Sequence, residues 1–410
     1  MLERFAYYGI YFGFGIYLTH LGYSRDQLGA IQSLFLLFSY AIPVISGTFA
    51  DRFGFKKVLI VSYLAYLPSI LLLMYTKSFS GIALTMLSIG FAAGIFKPLV
   101  AGTVRVTTDP SNKTLGFGIF YAMVNVGGSF GPIVAGKLRA ISWNHAFMAA
   151  AISIGVMMLV TIFFYKEPPR APQVETLGKK FRDIGTALTD IKFSVFLILL
   201  GFFLWFPFWG FFNIGALYVD TNIDTARLYL NLESVLGTGI TSLFSHVDKQ
   251  GVHRVLGEPV AQTGWVIMVF QLLVSRAFMK IPAMPSFMVG LATAGVGLLI
   301  VGLAYSTAPA LVLLGIFLFA TGEMISSPRI QEYITWIAPK EKAGLYMGSN
   351  FLAVMIGGFS SGLYTSLYGR LAKAGHPELV WYIMAANLIL GVAVFWGFIR
   401  IAGGFGEQES

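Results

Sequence analysis

The 410-residue chain has no cysteine, which excludes disulfides, thiolate metal sites and a cysteine nucleophile and leaves no redox clue to its compartment. It also has little charge: 11% of its residues are charged and 56% hydrophobic, where soluble domains carry about 25% charged residues. The five histidines are scattered without ligand spacing. No Ser/His/Asp set, metal-ligand cluster or phosphate-binding glycine loop is found. Neither an enzyme nor an ATP-driven pump is therefore expected, and no cofactor or metal. The class that remains is a polytopic all-α membrane protein, whose bulk partner is the lipid bilayer.

A formal charge of +9 would fit nucleic acid, but the basic residues sit in short loops between apolar segments, the pattern by which lysine and arginine set membrane topology. No nucleic-acid partner is expected. Roughly 20 residues cross a ~30 Å hydrocarbon layer, and twelve apolar segments meet that length: 5–21, 27–50, 57–75, 81–104, 115–138, 146–165, 193–218, 259–278, 287–305, 308–334, 345–368 and 379–401. The first lacks a basic leader and a small-residue cleavage site, so it reads as a helix and not a signal peptide. An even count puts both termini on one side. Sixteen basic residues lie on that side and nine on the other, so the termini are expected in the cytoplasm, in a bacterial inner membrane.

The polar connector 167–192 divides the spans into six and six, an N-terminal bundle over 1–166 and a C-terminal bundle over 193–401 with a tail at 402–410. In such an arrangement two halves rock about a midplane site. A second connector, 220–258, faces outward; its leucines and valines suggest an interfacial helix, and no catalytic motif is found in it.

Several polar residues are costly where they stand. At the start of the first helix, Arg4, Tyr7, Tyr8 and Tyr11 are spaced to form one stripe. With Glu3 they either face a water-filled cavity or, for Glu3 and Arg4, anchor the helix in the headgroup region. Lys97 lies well inside the fourth helix, where lysine costs about 2.5–3.5 kcal/mol, so it should be paired or hydrated. Glu323 is equally deep in the tenth. In the fifth helix Tyr121, Asn125 and Ser129 share a face, as do Glu323, Ser326 and Ser327 in the tenth. For Asn125 and Ser129 a helix-packing role is equally open. Between the second and third helices, Gly47 and Gly54 bracket Asp51 and Arg52, followed by Lys56, a turn suited to a charge relay that holds a cytoplasmic gate.

That turn resembles the signature loop of the major facilitator superfamily. Within that superfamily, Glu3-Arg4-Phe5-Ala6-Tyr7-Tyr8-Gly9 resembles the second half of the ExxERFxYYG motif of the proton-dependent oligopeptide transporter (POT/PTR) family. Phe120-Tyr121-Ala122-Met123-Val124-Asn125-Val126-Gly127-Gly128-Ser129 is similar to its FYxxINxGS stretch, Phe96-Lys97-Pro98 to its fourth-helix lysine, and Gly322-Glu323-Met324-Ile325-Ser326-Ser327-Pro328 to its GExxxSP stretch. Tyr40 falls where the family has a cavity tyrosine.

The resemblance implies a major facilitator fold, twelve transmembrane helices in two six-helix bundles around a central cavity, and a monomer that takes up di- or tripeptides with protons. It implies proton coupling by Glu3, Arg4, Lys97 and Glu323. Substrate contacts would come from Arg4, Tyr7, Tyr8, Tyr11, Tyr40, Lys97, Asn125, Trp209, Asn213, Glu323 and Ser327, and gating from Gly47, Asp51, Arg52, Gly54 and Lys56. A zwitterionic peptide would place its carboxylate toward Arg4 and Lys97 and its ammonium toward Glu323. The chain also departs from the pattern. The family's first glutamate would precede Met1, and a start at an internal methionine, with a shortened first helix, would account for that. Tyr11 stands where a second arginine is common, and Asn213 where the seventh-helix motif FWxxFEQ has its acid. A transporter of another small molecule, such as an exporter, and a non-transporting receptor or scaffold are the alternatives.

Overall fold

The computed structural model describes residues 1–107, 113–167, 176–305, 308–337 and 343–402, with the side chains of 51, 105, 106, 113–118, 121, 177, 180, 187, 335–337 and 343–349 outside the description. The N-terminal bundle consists of α1 (Leu2–His20), α2 (Arg25–Ala41) continued by α3 (Pro43–Phe53), α4 (Phe55–Tyr75), α5 (Phe79–Thr107), α6 (Lys113–Ile141) and α7 (Trp143–Phe164). A short amphipathic helix, α8 (Leu177–Leu188), follows in the connector. The C-terminal bundle consists of α9 (Ile191–Leu200) and α10 (Phe206–Asn222), α12 (Gly257–Ala261) and α13 (Gly264–Phe278), α14 (Ala283–Ala304), α15 (Leu311–Ile337), α16 (Ala343–Lys373) and α17 (Leu379–Ala402). Among the described residues ten helical segments are long and apolar enough to cross a membrane, and α1 and α6 complete the twelve.

Side-chain caps fix several starts. Ser24 and Gln27 form a reciprocal capping box at α2, and Asp190 caps α9, each satisfying backbone N–H groups that a helix start leaves without partners. Within the N-terminal half α1 packs on α6 and α7, and α4 on α5 and α7; in the other half α14 packs on α15 and α17, and α10 on α16. The halves meet where α2 lies on α16, α1 on α10, and α6 on α12 and α13. Between hydrocarbon-covered helices small residues allow this packing. A side chain at Gly290 or Gly297 of α14 would collide with the carbonyl of Gly322 at 2.8 Å or of Gly315 at 2.6 Å in α15. Residues of a helix advance by about 100° each, so Glu323, one residue beyond Gly322, is turned off that contact and toward the central cavity, whose wall it forms.

Two spans and the outward connector differ in detail from the sequence expectation. The seventh runs from Ile191 to Asn222 and contains one π-helical turn at Gly201–Trp205, just before Pro207. The eighth, expected to be continuous over 259–278, is broken between α12 and α13, where Gln262 and Thr263 leave the helix before Gly264. The outward connector holds a helix, α11 (Thr225–Thr241), but also a two-stranded antiparallel hairpin of β1 (Ser245–Val247) and β2 (His253–Val255), with Ser245 opposite Val255.

Candidate functional site

The charged stretch of α1 is buried: Glu3 is 1% and Arg4 8% exposed. This removes the headgroup-anchor reading. Arg4 bonds the adjacent carboxylate through two nitrogens, with Nη2 at 2.8 Å from Glu3 Oε1, and the Tyr66 hydroxyl donates to the same oxygen at 2.8 Å. Glu3 thus has a cation and a phenol as partners. The arginine also lies 4.8 Å from the centre of the Tyr7 ring.

Lys97 is not part of this pair. Its ammonium donates to the Ser39 carbonyl at 3.2 Å and sits 3.8 Å from the centre of the Tyr40 ring and 5.1 Å from that of Tyr7. Among the described residues no carboxylate lies within ion-pair distance of it. In place of an ion-pair partner Lys97 has a carbonyl and two ring faces, each attractive to an ammonium.

Two adjacent cavities follow. One, about 250 Å³, is lined by Tyr8, Tyr11, Phe12, Tyr40, Val124, Asn125, Trp205, Trp209, Phe212, Gln262, Thr263 and Glu323, among others. The other, about 450 Å³, is lined by Met1, Arg4, Phe96, Lys97, Val100, Met123 and Val124, among others. Val124 lines both, and Tyr8 and Tyr40 line the cavity that holds Glu323. A larger groove of about 540 Å³ between α3, α4 and α5 is apolar except for Ser46 and Lys57 and shares no residue with either.

Of the expected substrate residues, the structure gathers Tyr8, Tyr11, Tyr40, Asn125, Trp209 and Glu323 on the first cavity and Arg4 and Lys97 on the second. Tyr7 does not line either; it is packed at 1% exposure between Arg4, Tyr8, Tyr11 and Phe35. Ser327 is half-buried and outside both cavities. Asn213 lies behind Tyr11, whose hydroxyl bonds its side-chain oxygen. The two departures from the family pattern, Tyr11 and Asn213, are therefore partners in one hydrogen bond. The side chains of Asp51 and Tyr121 lie outside the described residues.

Of the loop residues expected to gate, Lys56 is tied to the end of α7. Gly54, with φ of 96°, turns the chain between α3 and α4. The freed N–H groups of Phe55 and Lys56 donate to the Glu167 carboxylate at 2.7 and 2.9 Å, and Lys56 Nζ reaches the Ile162 carbonyl at 2.8 Å. An anion at a helix N-terminus is favourable, so Glu167 ties α4 to the end of α7. Arg52 rests over the Phe53 ring, and Gly47 lies within α3.

Sequence reasoning missed the residues of the eighth-helix break. Thr263 Oγ1 donates to Glu323 Oε2 at 3.1 Å, and Gln262 Nε2 donates to the Gly128 carbonyl at 2.8 Å and to Ser129 at 3.3 Å. The Gln-Thr-Gly sequence interrupting an apolar run was the available signal, since backbone leaves a helix inside a membrane only where it lines a cavity or is buried in protein.

A family model described as Major Facilitator Superfamily matches residues 1–362. The chain is 24% identical over 227 residues to the quinolone resistance protein NorA of Staphylococcus aureus, covering 55% of this chain and 57% of that protein. It is 24% identical over 255 residues to the uncharacterized transporter YclF of Bacillus subtilis, covering 59% of this chain and 48% of that protein. The chain thus spans about half the length of the curated relatives it matches. Among solved structures, a POT family transporter in complex with 5-aminolevulinic acid superposes with a TM-score of 0.75 at 18% identity, over 97% of this chain and 93% of that one. The nucleoside transporter NupG superposes with a TM-score of 0.73 at 13% identity, over 97% of each. These superpositions are likenesses of fold.

Proposed function

The chain belongs to the Major Facilitator Superfamily, and from that premise we propose that it is a proton-coupled symporter of di- or tripeptides or similar small zwitterions. The observation that carries this reading is the separation of charge across the two halves. Arg4 and Lys97 belong to the N-terminal bundle and Glu323 to the C-terminal one, on neighbouring cavities that share Val124. A molecule with a carboxylate at one end and an ammonium at the other satisfies both walls at once and draws the halves together. That differential interaction is what a ligand needs to shift a two-state protein.

The proton step follows from the pair at the start of α1. Protonation of Glu3 removes the partner of Arg4 and frees the guanidinium for the substrate's carboxylate. Glu323, held by a single threonine hydroxyl, receives the ammonium. With Asn213 unable to titrate, coupling in this reading runs through Glu3 and Glu323. The termini would be cytoplasmic, the units 1–166 and 193–401 would move as bodies about the connector 167–192, and the Glu167 tie at the α3–α4 turn would stiffen one body.

The test is uptake of labelled dialanine into proteoliposomes with and without an inward proton gradient. The expected result is gradient-driven uptake that Glu323→Gln abolishes, because an amide leaves the ammonium unpaired. Equal uptake with and without the gradient, or none by a folded protein, overturns the reading.

A second reading, an exporter or other transporter of a different small molecule, is favoured by the Glu323 cavity itself. Seven aromatic residues, Tyr8, Tyr11, Phe12, Tyr40, Trp205, Trp209 and Phe212, surround one carboxylate, with no cation among the described lining residues, an environment suited to an aromatic amine. Binding of such an amine that is lost in Glu323→Gln and indifferent to Arg4→Gln would favour it.

A further inference from the structure

The helix that carries Ser39 and Tyr40 is interrupted two residues later. α2 ends at Ala41 and α3 starts at Pro43, with Ile42 between them still in helical conformation at φ −62° and ψ −37°. Proline has no N–H, so the helical hydrogen bond that residue 43 would give to the carbonyl four residues earlier is missing. That carbonyl is Ser39's. It is the one to which the Lys97 ammonium donates at 3.2 Å. Ser39 is fully buried, and a buried carbonyl without a partner is costly. Proline and lysine thus complete each other: one vacates an acceptor, the other fills it.

We propose that Pro43 is a positioning residue for Lys97, freeing the Ser39 carbonyl so that it and the Tyr40 ring form a parking place for the ammonium when no substrate is bound. The parking place holds the positive charge away from Glu3, which is already engaged by Arg4 and Tyr66. Without it, a lysine in this position would seek that carboxylate and displace one of its partners. Parking therefore separates the two cations of the site, one bound to a titratable acid and one to groups that do not titrate. A substrate carboxylate that draws Lys97 out must compete with the carbonyl, which raises the substrate concentration required. The substrate part of this inference rests on the zwitterion reading above; the proline–lysine linkage does not.

The linkage is tested by thermal unfolding of the purified protein in detergent, comparing the wild type, Pro43→Ala, Lys97→Met and the double variant. Alanine returns the N–H and suits a helix interior, so these variants are expected to fold; Pro43→Val, which also returns the N–H, is the second probe. With Lys97→Met in place the Ser39 carbonyl is orphaned, and Pro43→Ala should raise Tm. With Lys97 present the same change evicts the ammonium and should raise Tm less, or lower it. An equal or larger gain with Lys97 present means that the proline acts only on the helix and overturns the proposal.

The parking role is read from uptake kinetics. In Pro43→Ala the KM for dialanine should fall by roughly tenfold, the equivalent of one hydrogen bond to a charged group, while the KM for alanyl-alaninamide, which has no carboxylate, stays unchanged. An unchanged or raised KM for dialanine, or an equal fall for both, overturns parking. If dialanine is not carried at all, the zwitterion reading fails while the unfolding cycle still decides the linkage.

Discussion

Two of the contacts that join the halves of the molecule on the face opposite the chain termini differ in their chemistry. At the rim, Arg139 of α6 bonds Glu258 of α12 through Nε and Nη2 and reaches Asp220 of α10 at 2.7 Å. Glu258 is fully buried, while the side chains of Arg139 and Asp220 are 13% and 23% exposed. Deeper in, the contact is uncharged. Tyr11 of α1 bonds Asn213 of α10, whose amide donates to Ser361 of α16 at 2.8 Å; Gln32 of α2 donates to the Asn213 carbonyl at 3.0 Å and accepts from Thr365 of α16 at 2.7 Å. Around this network α2 and α16 touch through Gly29 and Gly362, where a Cβ on either would meet the other's backbone at 2.1–2.4 Å.

The difference bears on reversibility. A buried ion pair is strong only while every member is present, because a lone charge out of water is expensive. Neutral donors and acceptors lose less when parted, since water replaces each bond at small net change. The rim thus pairs a buried carboxylate with two partly exposed side chains, while the deep contact relies on neutral bonds alone.

The rim should break most severely. Glu258→Ala leaves Arg139 with only the partly exposed Asp220, and the loss should be about 3–5 kcal/mol, the range for removing one member of a buried pair. Thermal unfolding in detergent checks it. The double variant Arg139→Met/Glu258→Leu should recover most of that loss, since no charge is left uncompensated; a double variant as unstable as Glu258→Ala alone would mean that packing, not charge, holds the rim. The neutral network should break more gently. Asn213→Leu abandons the Tyr11 hydroxyl and the Ser361 hydroxyl at an expected cost of about 1–3 kcal/mol. Asn213→Glu should cost more than Asn213→Leu, because it buries a carboxylate among neutral groups, and adding Tyr11→Arg should restore stability by giving it a cation. That rescue would turn the deep contact into a copy of the rim, and its absence would show that the deep site tolerates no charge of either sign.

How much of this was legible in the sequence follows from what each residue had to satisfy. Twelve apolar runs set twelve spans, because each had to cross the same thickness of hydrocarbon. Arg4, Lys97 and Glu323 could be picked out singly, because a charge in a span has no cheap explanation. Their partners could not. Lys97 was expected to be paired or hydrated, yet its acceptor is a carbonyl released by Pro43, a consequence of backbone bonding that spacing along one helix does not reveal. Tyr11 and Asn213 looked like two independent losses, because residues 202 positions apart become one feature only when α1 and α10 are brought together. Glu258 read as the last residue of an exposed connector; its burial against Arg139 depends on how α12 enters the bundle. The break at Gln262 and Thr263 was signalled only by a short polar interruption, Gln-Thr-Gly, of an otherwise apolar run.

The smallest effect is expected at a third ion pair, one that joins nothing across the two halves. On the hairpin, Asp248 accepts from Arg254 Nε at 2.6 Å and from the N–H groups of Gln250 and Val252 at 2.9 Å. The hydrogen bond from Arg254 first, then that from the Val252 N–H, holds the Asp248 carboxyl below its usual range. A carboxylate with a lowered folded-state pKa contributes stability that is complete above its unfolded value and is lost as pH falls through the folded one. Asp248→Asn should therefore loosen the hairpin slightly at neutral pH and not at all in strong acid, where the native side chain is protonated too. Because the pair closes a turn within the connector and touches neither contact between the halves, hydrogen exchange should quicken in residues 245–255 and remain unchanged in α2 and α16. Faster exchange in those two helices would mean that the hairpin braces the closed face, and the comparison would then have to include a third joint.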